Sequence, residues 1–123
     1  PIREDEPAEN IERCVYYSGT HDHETLQEWV SKSWKGDRKD PDTLRCAVWE
    51  VLREIYESKA PWVIFPLQDI LDLGAEARMN RPGLAEGNWL WRLSPHALTG
   101  ELAEQLRRRA EACRRIRKEG EAG

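Results

Sequence analysis

Residues 65–93, FPLQDILDLGAEARMNRPGLAEGNWLWRL, constrain the fold more than any other stretch, because they follow neither a helical nor a strand period. They hold two Pro, three Gly, two Asn, three Arg and two Trp. A loop of this length inside a compact chain is either functional or disordered. Disordered segments are poor in aromatic and branched apolar residues, whereas this one carries Phe65, Leu67, Ile70, Leu71, Leu73, Trp89, Leu90 and Trp91. The stretch is therefore read as an ordered loop, either purely structural or presenting Asn80, Arg81, Gln68 and Asp69 to a ligand. Within it, Gln68, Asp69, Glu76, Arg78 and Arg92 fit a buried scaffold of hydrogen bonds and ion pairs. Trp89 and Trp91 form a W-x-W pair whose rings share one face of an extended segment, the usual pattern of core residues.

Two short β-favouring runs flank a pair of helical patterns. Residues 13–18 (RCVYYS), closed by Gly19, read as a buried parallel strand. Over 23–35 the positions Leu26, Trp29, Val30 and Ser33/Trp34 recur at helical spacing, and Asp22 or Thr20 can cap the start. Asp40-Pro41 reads as an N-cap followed by proline at the first helical position. The helix it opens carries Leu44, Ala47, Val48, Val51, Leu52 and Ile55 on one stripe and ends near Ser58. Residues 62–65 (WVIF) form a second strand, stopped by Pro66. Strand, helices and strand followed by a long loop is the rhythm of a parallel α/β sheet or barrel.

A last helix is expected over about 99–118, with Leu102, Leu106, Ala110, Cys113 and Ile116 as a weak apolar stripe. Its basic residues from Arg107 to Lys118 interleave with Glu101, Glu104, Glu111 and Glu119 at i,i+3 and i,i+4, which makes a solvated face rather than a nucleic-acid patch. A net charge of −4 with 34% charged residues supplies no global field for nucleic acid or an anionic membrane, so neither is an expected partner. No apolar run approaches the roughly 18 residues a membrane span needs, and no charged start leads into a signal region. Cys14, Cys46 and Cys113 are odd in number, far apart and without a CxxC pair, as expected of buried or partly buried free thiols in a reducing, cytoplasmic setting.

Two segments carry a resemblance to a known family. PLQDILDLGAEARMNRPGLAEGNWLWR resembles the C-terminal signature of the 4-α-glucanotransferases of glycoside hydrolase family 77, the amylomaltase or disproportionating enzymes. Tyr17-Ser18-Gly19-Thr20-His21-Asp22 resembles that family's strand-end GTHD motif. Two ungapped motifs in the same order, with a helical spacer between them, are far more specific than one short pattern. The family fold is a (β/α)8 TIM barrel, and even a minimal barrel takes roughly 250 residues. The resemblance thus implies a helix-rich α/β chain, the C-terminal part of such a barrel comprising its last two βα units. On this reading residues 1–123 are a C-terminal fragment of the catalytic barrel, with 13–93 the family-like region and 94–123 a C-terminal helix.

Retaining chemistry at a glycosidic bond needs a nucleophilic carboxylate, a carboxyl acid/base about 5 Å away, and groups that grip ring hydroxyls more tightly in the transition state. By resemblance, Asp22 corresponds to the family's transition-state-stabilising Asp, His21 to the substrate-binding His beside it and Asn80 to a sugar-contacting Asn. The family's nucleophile and acid/base motifs do not occur in this chain, so the chain alone is expected to be inactive. The implied partners are α-1,4-glucans, maltooligosaccharides and the remainder of the barrel, with no cofactor. Where the family continues with Asn and Asp, this chain has His23 and Glu24. The cluster His21-Asp22-His23-Glu24, with His96 as a third imidazole, keeps open a metal-dependent hydrolase. A non-catalytic glucan-binding or interaction module is the other alternative.

Overall fold

The computed structural model describes residues 11–33 and 40–116. The chain divides into two compact units, Pro1–Arg92 and Leu93–Gly123. In the first, a turn of 3-10 helix at Ile11–Arg13 leads into β1 (Val15–Tyr17), followed by α1 (Leu26–Ser33), α2 (Pro41–Glu57), β2 (Trp62–Ile64) and the short α3 (Leu67–Ile70). A second 3-10 turn occupies Ala75–Ala77, and irregular chain completes the unit. The second unit contains α4 (Gly100–Ala112). No helix among the described residues is long and apolar enough to cross a membrane.

β1 and β2 pair in parallel, with Val15 opposite Trp62, Tyr16 opposite Val63 and Tyr17 opposite Ile64. Parallel neighbours need a long crossover, which α1 and α2 supply. One apolar stripe from each crossover helix builds the core: Leu26 and Val30 meet Ala47, Val48 and Leu52, with Trp29, Leu44, Val51 and Phe65 packed around them. Tyr56 closes on Phe65 at a ring distance of 4.7 Å. Trp34, expected on the first of these stripes, lies outside the described residues.

β1 is not buried as expected, and β2 is equally open. Alternation along a strand sends successive side chains to opposite faces. The parallel register therefore gathers Val15, Tyr17, Trp62 and Ile64 on one face, where they stand 47–69% exposed, while Tyr16 and Val63 are half-buried. Two of the three thiols also depart from expectation, Cys14 and Cys46 being exposed, while Cys113 is half-buried.

Helix ends explain most of the shifted boundaries. α1 begins at Leu26 rather than at His23, and neither Asp22 nor Thr20 caps it. Thr25 and Glu28 form a reciprocal capping box: the Thr25 N–H donates to Glu28 Oε2 at 2.8 Å and the Glu28 N–H to Thr25 Oγ1 at 3.4 Å. α2 is capped as expected, Asp40 accepting the Asp42 N–H, with Pro41 in the first turn. α3 and α4 each end in a Schellman motif. After α3, Leu73 N–H reaches Gln68 O and Asp72 N–H reaches Asp69 O, with Asp72 at φ 56°. After α4, Arg115 N–H reaches Ala110 O and Arg114 N–H reaches Glu111 O, with Arg114 at φ 57°. This stop ends the last helix at Ala112, short of the expected 118. Thr99 caps its start by accepting the Leu102 N–H, and Arg107 and Arg108 pair with Glu104 and Glu111 on a solvated face. Residues 117 and 118 of the expected helix lie outside the described residues.

Candidate functional site

In a parallel pair both strands end at the same edge, so the chain after β1 and the chain after β2 meet there. After β1, Thr20 organises a tight turn. Its carbonyl accepts the His23 N–H at 3.2 Å, while its hydroxyl accepts the Asp22 N–H at 3.4 Å and contacts His23 Nδ1 at 2.6 Å. This turn projects His21 and Asp22 outward, their side chains 55% and 49% exposed. Asn80, from the loop after β2, donates Nδ2 to Asp22 Oδ1 at 2.7 Å across 58 residues of sequence. His21 Nε2 stands 3.2 Å from the other carboxylate oxygen, Oδ2. Asp22, His21 and Asn80 thus form one polar cluster.

The two loops are bound together underneath by Asp69, a buried carboxylate 3% exposed at the start of the second loop. One oxygen accepts the Ser18 hydroxyl just past β1, and the other accepts the Leu26 N–H at 2.8 Å, the first residue of α1. Burial pushes its pKa up against these two donors, which pull it down. Gly19 approaches the same carboxylate, so that a Cβ there would sit 3.9 Å from Oδ2.

The scaffold expectation holds in part. Gln68 Nε2 donates to Ala77 O at 3.3 Å, and Arg78 meets Glu28 of α1 at 3.9 Å with both side chains largely buried. Among the described residues Glu76 bonds only locally, accepting the Gly74 N–H, and Arg92 is exposed. Arg81 ties the loop down through its guanidinium to Ala75 O at 2.7 Å. Asn88 closes the far end, its Oδ1 accepting the Arg81 N–H and its Nδ2 donating to Leu84 O.

Between the loops lies a pocket of ≈ 140 Å³ lined by Thr20, His21, His23, Gln68, Arg78 and Met79, among others. His21 belongs to its wall. Asp22 and Asn80 do not line it, and their contact stands beside it in the open. Two expectations fail here. Trp89 is no core residue: it is 58% exposed, and its ring lies 5.2 Å from that of His21. Its φ of 63° breaks the extended alternation that would have put it on one face with the half-buried Trp91. The stretch is also less irregular than its composition implied, because α3 and a 3-10 turn occupy its first half. Among the described residues no group of three or more His, Cys, Asp or Glu side chains is arranged to hold a metal ion.

Comparison with known proteins bears on this cluster. Residues 3–99 match the profile of glycoside hydrolase family 77, 4-alpha-glucanotransferase. The chain belongs to that family. It is 42% identical over 99 residues to the 4-alpha-glucanotransferase of Synechocystis sp., covering 76% of this chain and 20% of that protein. It is 37% identical over 118 residues to the Thermus thermophilus enzyme of the same name, covering 85% and 23%. Its fold matches part of a solved amylomaltase from Streptococcus agalactiae, determined in complex with acarbose, with a TM-score of 0.69 and 26% identity over 84% of this chain and 22% of that one. That neighbour is a TIM-barrel enzyme. The chain therefore spans about a fifth of the length of these family 77 relatives.

Proposed function

We propose that the chain is a segment of a 4-α-glucanotransferase which moves stretches of α-1,4-glucan between maltooligosaccharides with retention of configuration, through a covalent glycosyl-enzyme. In this reading the segment forms the last two βα units of a (β/α)8 barrel. The open face of Val15, Tyr17, Trp62 and Ile64 packs against the rest of that barrel, and the nucleophile and the acid/base come from there. The working place is the cytoplasm.

The observation that carries the reading is the hydrogen bond from Asn80 to Asp22. As the glycosidic bond breaks, positive charge grows on the sugar ring, and vicinal hydroxyls bind a fixed carboxylate more tightly than in the ground state. Asp22 is such a carboxylate, with one oxygen aligned by Asn80 and the other beside His21. Each oxygen has a further lone pair for a hydroxyl. His21 and Asn80 hold the sugar and orient Asp22 at once. Fixing the group before the reaction is what makes such electrostatic help effective, since nothing has to reorganise at the transition state.

The test is an assay of the complete product of the reading frame with maltotriose as both donor and acceptor. Glucose and longer maltooligosaccharides are expected together, and Asp22→Asn should reduce both. No transfer by the wild-type protein would end the glucanotransferase reading.

A further inference from the structure

The loop beside Asp22 holds a large aromatic ring in an unusual way. Trp89 has a φ of 63°, a left-handed conformation that is a clear outlier for a bulky side chain. Such strain persists only where the surroundings impose it, and it clusters at ligand clamps. The surroundings here are specific. The Trp89 N–H donates to Met79 O at 2.5 Å, and its neighbour Asn88 holds both the Arg81 N–H and Leu84 O. The result is not burial. The indole is 58% exposed, outside the hydrophobic core cluster, and tilted by 41° against His21, whose other contact is Asp22.

An exposed indole against an imidazole that contacts the Asp22 carboxylate, itself bonded to the Asn80 amide, matches the two-sided chemistry of a hexose. One face of a pyranose presents C–H groups to the negative face of an aromatic ring, while its edge presents hydroxyls to carboxylate and amide. We propose that Trp89 is a stacking platform for a glucose unit of the glucan, bound next to the unit that Asp22 and Asn80 hold. This rests on the glucan reading above. A platform of this kind contacts substrate equally in the ground and transition states, so losing it raises KM and leaves kcat nearly alone.

Trp89→Gly deletes the ring at a position whose φ suits glycine, and Trp89→Phe keeps a ring. Both are assayed for maltotriose disproportionation in the complete product of the reading frame, with Tm recorded. Trp89→Gly should raise KM by about three- to tenfold, the range of one aromatic contact, with kcat within about threefold, while Trp89→Phe stays within about threefold of wild type in both. If Trp89→Gly keeps the wild-type KM, or if kcat falls at unchanged KM in both variants, the platform is refuted. Should Trp89→Gly unfold, Trp89→Leu against Trp89→Phe decides: an equal KM in the two refutes stacking, and a KM raised only in Leu supports it. A wild-type protein without transfer would overturn the glucan reading itself and Trp89 with it, an outcome visible before any variant is made.

Discussion

The footing of the strand-end loops and their rim each use an aspartate, in opposite ways. Asp69, in the footing, is buried and gives one oxygen to Ser18 and the other to Leu26, so the fold consumes it. Asp22, at the rim, is half exposed and steadied by Asn80 and His21, with acceptor capacity left on both oxygens. The footing rests in turn on the core of α1 and α2, whereas the rim rests only on turns. A carboxylate that the chain saturates holds structure together, and one that it orients but leaves unsaturated is available to a ligand. Changes in the footing should therefore register as stability and changes at the rim as rate.

The largest effect tests the layer under the footing. Leu52 is fully buried among Leu26, Val30, Ala47 and Val48, and Leu52→Ala should cost about 2–5 kcal/mol in denaturant unfolding, by lost burial and the cavity left behind. At the rim, Asp22→Asn in the complete protein should lower kcat by about 10²–10³-fold, the scale for one preorganised group aimed at transition-state charge. Its Tm should stay at the wild-type value. A fall in Tm comparable to that of a core variant would erase the distinction between the regions.

Asp69 sharpens the contrast through pH. Asp69→Ala leaves the Ser18 hydroxyl and the Leu26 N–H without their acceptor and should cost about 1–3 kcal/mol. The subtler variant is Asp69→Asn. Burial holds the Asp69 carboxyl above its ordinary 3.8. A raised folded-state pKa favours the fold most below the unfolded pKa, and that contribution is lost as pH rises through the folded pKa. The stability difference between wild type and Asp69→Asn should accordingly move in favour of the variant as pH climbs from about 3.8, then level off. Urea midpoints across that range check it, and a difference that moves the other way would mean the carboxylate is held by its donors more strongly than it is penalised by burial. The smallest effect belongs to the α1 cap, where Thr25→Ala should lower stability by about 1 kcal/mol, with kcat unchanged.

Much of this was legible in the residues. The α2 cap at Asp40-Pro41 and the stripe from Ala47 to Ile55 were plain, because a long helix with strong periodicity and a cap repeats its signal many times. The start of α1 is ambiguous by residue type although Thr25-x-x-Glu28 spells a capping box, since Thr20 and Asp22 are equally good capping residues and only the turn at Thr20 excludes them. The ends of α3 and α4 could not be read, because their Schellman motifs use Asp72 and Arg114 where sequence reasoning looks for glycine. The exposure of Trp89 had no local signal either. It follows from a positive φ imposed by Met79, a partner ten positions away, and from a ring contact to His21 in the other loop.

The parallel pairing of β1 and β2 also sets how much chain each contact at the strand-end edge must close. The contacts that make the strand-end edge span 43 residues from Leu26 to Asp69, 51 from Ser18 to Asp69 and 58 from Asp22 to Asn80. The helices need only neighbours three and four positions away. Closing a long loop spends chain entropy before any contact is gained, and topologies dominated by such closures assemble slowly. Asp22 and Asn80 meet across the longest of these three closures, so their contact carries the largest loop-closure cost of the three.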